Sequence, residues 1–217
     1  AEEVGQIPVS GERKPLVGIV GEIYVRSNRF ANQDVVGAIE RAGGEAWLAP
    51  VTEWILYTAL CEGLQAKEQW FRFGDYAATM LKNRYMFSSE RAYEEACDGV
   101  LSDRHEPPVE ETLEAGKPWF PVQFEGEAIM TVGRSIKFAE QGAGLVINCS
   151  PFGCMVGSLS GGVLQRVQAE TGVPMVNLFY DGDGELNRVL DIYIASARDR
   201  QHAERQRGLE ANPAPAR

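Results

Sequence analysis

The chain predicts an α/β fold: a parallel sheet of about four strands flanked by helices, with a helical insertion in its middle. Three observations predict it. Leu16-Val-Gly-Ile-Val-Gly21 is an apolar, β-branched run ended by glycine, as in a strand buried on both faces. A helical pattern and a second short strand follow it, which makes a βαβ unit of about thirty residues with an expected right-handed crossover. The same strand–helix–strand order returns between Gly144 and Leu178.

Residues 1–14 are polar and aperiodic and read as a linker or tail. From Asn32 to Ala42, Val35, Val36, Ile39 and Ala42 fall at helical spacing, and Gly43-Gly44 stops the helix before the strand Glu45–Ala49. Between Thr52 and Ala96 the aromatic and apolar residues (Trp54, Ile55, Tyr57, Leu60, then Trp70, Phe71, Tyr76, Met80, Tyr85 and Tyr93) recur at helical spacing. They predict two or three inserted helices over about 52–97, capped by Thr52 or by Ser88-Ser89. Pro107-Pro108 opens a helix from Val109 to Ala115, and Glu127 to Ala143 is helical again. Strand Gly144–Ile147, helix Ser158–Thr171, strand Pro174–Leu178 and a last helix from about Glu185 to Glu204 complete the second unit. The expected organisation is a single α/β domain over 15–205 and a disordered tail over 206–217. No internal repeat recurs at a fixed period.

Composition narrows the function. With 44% hydrophobic and 24% charged residues in 217, the chain is long enough for a sizeable core and ordinary for a globular protein. A formal charge of -10 argues against nucleic acid, whose backbone wants a basic face, and against an anionic membrane surface. No apolar stretch approaches the ~20 residues of a membrane helix, and there is no secretory apolar region. The start at Ala1-Glu-Glu, without methionine, reads as a processed end or as an excised piece of a longer polypeptide. Four irregularly spaced cysteines do not make a disulfide framework, so a reducing, cytoplasmic setting is expected.

The most informative segment is Asn148-Cys-Ser-Pro-Phe-Gly-Cys-Met-Val-Gly157, which follows an apolar run and precedes an amphipathic stretch. It puts Cys149 and Cys154 after a buried strand at the mouth of a helix, the edge where open α/β sheets carry their chemistry. The C-x4-C spacing is not a zinc knuckle, and no second cysteine pair completes a tetrahedral site. A free cysteine is by default a small buried hydrophobe. At a helix N-terminus, however, the positive end of the macrodipole favours the thiolate that binds metal. Cys154 is therefore the candidate ligand, Cys149 is closer to a packing position, and Cys61 and Cys97 read as structural. Gly18-x-x-Gly21-Glu22 is not a dinucleotide fingerprint. Arg26 and Arg29 beyond it suit a phosphate-bearing ligand or a partner carboxylate, or else a solvated loop. Asp103-Arg104-His105-Glu106 and the remote His202 make a two-histidine metal site improbable. Asp181-Gly-Asp-Gly-Glu185 lacks the spacing of a calcium loop and reads as a cap for the last helix. No G-x-S-x-G elbow is present.

Val17-Gly-Ile-Val-Gly-Glu-Ile-Tyr-Val-Arg26, Asn28-Arg-Phe-Ala-Asn32, Thr52-Glu-Trp54, Glu125-Gly-Glu127 and Pro151-Phe-Gly-Cys-Met-Val-Gly157 form a set. Over roughly residues 15–200 the set resembles the C-terminal, D-component-like module of the large activase-related proteins associated with 2-hydroxyacyl-CoA dehydratases. The wider superfamily includes the dehydratase and benzoyl-CoA reductase subunits and the double-cubane cluster proteins. The resemblance implies a Rossmann-like domain in which the cysteine after a central strand ligates an iron–sulfur cluster. That role falls on Cys154, in Pro151-Phe-Gly-Cys-Met155, with Cys149 as a second candidate. It also implies a role in cofactor binding for Arg26 and for Arg188, in Leu186-Asn-Arg-Val-Leu190. Where the family commonly has proline after Cys-Met, this chain has Val156, which leaves the loop less rigid.

Fe–S clusters usually take four cysteine thiolates, so one firm ligand implies a [4Fe–4S] or double-cubane cluster shared with another domain or subunit. The implied function is a component of an ATP-driven, low-potential electron-transfer system, with activase or dehydratase subunits as partners and an acyl-CoA-type substrate. The alternative is a non-catalytic docking module that links an activase to its target enzyme, with Cys154 merely structural.

Overall fold

Leu16–Gly21 forms the first strand, β1, buried along its whole length. Ile23–Ser27 (α2) and Val35–Arg41 (α3) lead to a second strand, Glu45–Leu48 (β2). Glu127–Glu140 (α7) precedes Leu145–Pro151 (β3), and Met155–Thr171 (α8) joins it to Met175–Tyr180 (β4). A 3-10 turn, Leu186–Val189, then opens the last helix, Leu190–Ala211 (α9). In this computed structural model, residues 2–7, 13–68, 73–101, 104–124 and 126–211 are described. The strands make one parallel sheet in the order β2-β1-β3-β4, a Rossmann-like α/β fold as the sequence predicts.

Contacts divide the chain into two compact units, Arg13–Ala49 with Leu113–Arg217 and Ala1–Glu12 with Pro50–Thr112. In the first, the sheet sorts its side chains by the period-2 alternation of a strand. Val17, Ile19, Leu145, Ile147 and Cys149 share a core with Val35 and Ile39 of α3 and Leu190 and Ile194 of α9. Each such side chain, fully buried, contributes about 1.5–3 kcal/mol relative to exposure. Gly18 faces the opposite layer, where a Cβ would come within 2.4 Å of the Phe138 ring of α7. Phe138 also meets Trp47 edge-on, and the guanidinium of buried Arg134 lies 4.4 Å from its centroid. α8 approaches the same face closely because its contact positions are small. A Cβ at Gly157 would lie 2.5 Å from the Ser150 side chain, and one at Gly161 would lie 3.0 Å from Asn177.

The second unit holds a helical turn, Glu2–Gly5 (α1), the long helices Val51–Glu68 (α4) and Phe73–Leu101 (α5), and the start of Val109–Gly116 (α6). Leu56, Tyr57 and Ala59 of α4 are buried, and Asn83 of α5 donates to the Ala59 carbonyl at 2.9 Å. Buried Glu53 accepts from the Thr112 hydroxyl at 3.0 Å.

Several boundaries differ from the sequence reading, each for a physical reason. β3 runs to Pro151 rather than Ile147, so Cys149 is a strand residue and not a loop residue. Asn148 and Ser150 looked like loop because they are polar, yet both are buried against α8. α3 starts at Val35, not Asn32, because Gln33 and Asp34 have φ of 53° and 59°. The short α2 carries no periodic signal. Ser88 and Ser89 lie inside α5, where both hydroxyls bond back to the Tyr85 carbonyl, and Thr52 is the second residue of α4. A serine pair that satisfies itself in this way starts no helix. α7 ends at Glu140, followed by Gly142 at φ 84°. The loop Asp181–Glu185, expected to cap the last helix, leads instead into the 3-10 turn, whose N-cap Glu185 makes no side-chain cap bond. That helix continues to Ala211, past Glu204. Trp70, Phe71, Asp103, Glu125 and residues 8–12 and 212–217 lie outside the described residues.

Candidate functional site

In the order β2-β1-β3-β4, the chain leaves β1 toward β2 on one side and continues from β3 to β4 on the other. The gap between β1 and β3 is thus a topological switch point, where the loops after the two strands diverge and leave a crevice. Gly21 stands opposite Cys149, so the loop beginning at Glu22 and the loop Phe152–Cys154 leave the same edge side by side. Cys154 lies at this carboxyl edge, as the parallel pairing predicts.

The β1 loop is tightly specified. Gly21 has φ 111°, and a Cβ there would sit 2.1 Å from the Cys149 carbonyl oxygen, which accepts from the Glu22 N–H at 2.9 Å. The Glu22 carboxylate caps α2, accepting from the Tyr24 and Val25 N–H groups at 3.1 and 2.8 Å. Arg26, only 6% exposed, donates from Nη1 to the Gly21 carbonyl at 3.1 Å. Glu127, at the start of α7, belongs to the same charged group. Its burial pushes the carboxyl up from the ordinary glutamate range, as does the Glu22 charge, while Arg26 and the Ile23 N–H pull it down. Periodicity did not single out Glu127. The Glu125-Gly-Glu127 motif was its only signal.

The β3 loop rests on a buried polar net. Asn148 donates to Asn177 at 2.8 Å and to Ser160 at 3.3 Å, and the Ser150 hydroxyl donates to the Asn148 side-chain Oδ1 at 3.4 Å. Asn148 and Asn177 are register partners on β3 and β4, so the net ties both strands to α8. At the head of α8, Cys154 is the N-cap residue, half-buried, with extended backbone and no capping bond from its side chain. Phe152 and Met155 beside it are 76% and 66% exposed, and Tyr24 of α2 is also exposed.

Cys149 is a different thiol. It points to the α3–α9 core, is fully buried, and lies 3.8 Å from the Tyr180 hydroxyl. Burial pushes it up to about 12, so it stays protonated. Tyr180 in turn donates to Asn187 at 2.9 Å. Asn187 donates to the carbonyls of Asn32 and Gln33, and the Gln33 side chain bonds Gly184 and Leu186. This chain of bonds holds the left-handed backbone at Gln33–Asp34 in place.

The remaining candidates fall elsewhere. Arg29 pairs with Asp34 at 2.9 Å, and Arg41 pairs with it at 3.1 Å. Hydrogen bonding from Arg41 first, then Arg29, holds the Asp34 carboxyl below its usual range. Arg188 is exposed, ion-paired with Glu185, and lines a cavity of about 550 Å³ with Gln33, Arg41 and Asp191. Cys61 lies on α4 and Cys97 on α5, in the helical unit. Among the described residues, no group of three His, Cys, Asp or Glu side chains is placed to hold a metal ion, and no helix is long and apolar enough to cross a membrane.

Comparison with known proteins found no matching family model and no significant match among curated proteins or solved structures.

Proposed function

We propose that this chain is an iron–sulfur-cluster-binding component of an ATP-driven, low-potential electron-transfer system related to the 2-hydroxyacyl-CoA dehydratases and their activases. In this reading it contributes Cys154 as one cluster ligand at an interface with another domain or subunit. The observation that carries the reading is the setting of Cys154. It is the N-cap of α8 at the β1/β3 switch point, its sulfur is not used in capping, and exposed Phe152 and Met155 flank it. Cysteine sulfur is the soft ligand that iron–sulfur clusters take, and the exposed apolar flanks suit a surface that a second protein body covers.

The residues present fit one corner of such a group rather than a whole site. A cluster completed across an interface takes only one thiolate from this chain, and the edge offers one. Cys149, buried and protonated, packs the strand beneath the loop and leaves ligation to Cys154. When bound, the cluster supplies one-electron transfer at low potential. The chain's own share is to fix the Cys154 sulfur at the head of α8 through the Asn148 net, to shield it with Phe152 and Met155, and to hold the neighbouring loop with Arg26. Arg188, exposed and ion-paired with Glu185 on the same unit, is the guanidinium assigned to an acyl-CoA-type phosphate, which would replace Glu185 as its partner.

The test is iron and acid-labile sulfide in the natural polypeptide isolated anaerobically with its partner subunits. Cys154→Ser is expected to lose the cluster, because soft thiolates rather than a hard alkoxide select Fe–S centres, while Cys61→Ser keeps it. Full iron in Cys154→Ser overturns the ligand assignment and leaves the docking-module reading in its place.

A further inference from the structure

The helical unit carries a groove that the cysteine loop does not explain. α4 and α5 leave between them a hollow of about 470 Å³, lined by Ile55, Leu56, Tyr85, Met86 and Tyr93. Tyr85 and Tyr93 are 73% and 76% exposed, and Ile55 is 43% exposed. Tyr85, Ser89 and Tyr93 follow one another at one turn of α5, so the groove runs along the helix for about 12 Å. That is the form of a surface awaiting another helix, not of a closed pocket for a small molecule.

The groove also has a sign. Glu90, Glu94 and Glu106 line it, and among the described residues the lining holds no lysine or arginine. Burial raises the Glu90 carboxyl above its ordinary range, and the charges of Glu94, Glu106 and Glu53 add to that, against a hydrogen bond from Thr52. Carboxylates that repel one another beside an apolar floor gain most from a cation placed among them. A second copy of this chain is a poor occupant, since it would bring the same acidic rim on a body of net charge -10.

We propose that this groove docks a cationic amphipathic helix of a partner protein, its apolar face on the tyrosines and its lysines or arginines on the carboxylates. The inference stands on the helical unit alone and does not depend on the role of Cys154.

The probe is a fluorescent peptide of about four helical turns, with leucine at helical spacing and lysine on the flanks, titrated with the full chain. Saturable one-to-one binding is expected. Tyr85→Ala/Tyr93→Ala, truncations of exposed side chains whose folding circular dichroism confirms, weakens it by about thirtyfold, the size of a hot-spot loss. Glu90→Gln/Glu94→Gln weakens it by about fivefold and reduces its salt dependence. A peptide with glutamate on the flanks does not bind. The proposal is overturned if the lysine peptide fails to bind, if the tyrosine variant binds it as well as the parent, or if the glutamate peptide binds equally. It is also overturned if sedimentation shows a dimer that the tyrosine variant abolishes, since a second copy is then the occupant.

Discussion

The sheet unit and the helical unit dispose of their polar and apolar groups in opposite ways. In the sheet unit, buried and half-buried polar side chains answer one another: Asn148, Asn177 and Ser160 on one face, and Cys149, Tyr180 and Asn187 on the other. Three of its glycines, Gly18, Gly21 and Gly157, have neighbours that leave no room for a Cβ. In the helical unit, Tyr85, Tyr93, Met80 and Leu81 are exposed, and Gly63 has nothing within 3.6 Å of where a Cβ would be built. The sheet unit is closely fitted at its centre and leaves Phe152, Met155 and Tyr24 exposed at its carboxyl edge. The helical unit leaves apolar area uncovered along a whole helix, the character of a surface met by something else.

The largest expected contrast is between two glycines. Gly21→Ala combines a left-handed backbone with a collision against a carbonyl, and should cost about 3 kcal/mol or more. Gly63→Ala, in the interior of a helix where a Cβ would meet Asn83 and Thr79 only at ordinary van der Waals distance, should stabilise by about 0.5–1 kcal/mol. Denaturant unfolding gives the magnitudes, and hydrogen exchange at 16–20 and 55–60 assigns each to its unit. Equal effects of the two would erase the distinction.

A smaller contrast lies in two buried asparagines. Asn148→Leu leaves Asn177 and Ser160 without their partner and should cost about 2–3 kcal/mol. Asn83→Leu removes one bond to a helical carbonyl, and its own Oδ1 is already unpaired, so the change should stay within about 1 kcal/mol. Thermal midpoints of both variants sharpen the comparison, and a reversed order would break it.

The smallest contrast is in pH. Cys149 and Glu90 both have folded-state values raised above the unfolded ones, so each contributes stability that is full below the unfolded value and lost as pH rises through the folded one. For Cys149 the loss runs from 9.0 to about 12, at about 1 kcal/mol per pH unit at its steepest. For Glu90 it begins at 4.5 and is softened by solvent. Cys149→Ser should flatten stability only between pH 9 and about 12, and Glu90→Gln only above pH 4.5, each measured by chemical denaturation across the range. A single variant that flattened both windows would show that the two units titrate together.

What the residues disclosed in advance follows the same division. β1 was legible because a strand covered on both faces is apolar throughout, and the βαβ order followed from it. The second half of β3 was not, since its inward groups are the amides and hydroxyl of a polar net, which resemble a loop in one dimension. Cys154 could be placed at a helix mouth from Pro151, Gly153 and the amphipathic run beyond. The burial of Cys149 depends on Tyr180 and α9, which only the folded sheet brings to it. The left-handed pair Gln33–Asp34 carries no glycine to announce it, and its anchor, Asn187, lies far along the chain. In the insertion, helices were legible from aromatic spacing, but the length of α5 was not, because two serines inside it imitate a start.

The placing of β1 beside β3 has a consequence for how the polypeptide is made. Val17 and Leu145 are neighbours in the sheet, yet Pro50–Thr112 of the helical unit lies between them in sequence. Closing so long a loop costs little more in equilibrium terms than closing a shorter one, because the entropy grows only with the logarithm of length. It delays the event all the same, since pairings distant in sequence form slowly. During synthesis, Leu16–Val20 emerges early, paired on one side by β2 and bare on the other until Leu145–Ser150 has left the ribosome. Any product ending before β3 therefore presents an apolar strand edge to its neighbours, and its fate is aggregation rather than a smaller folded domain.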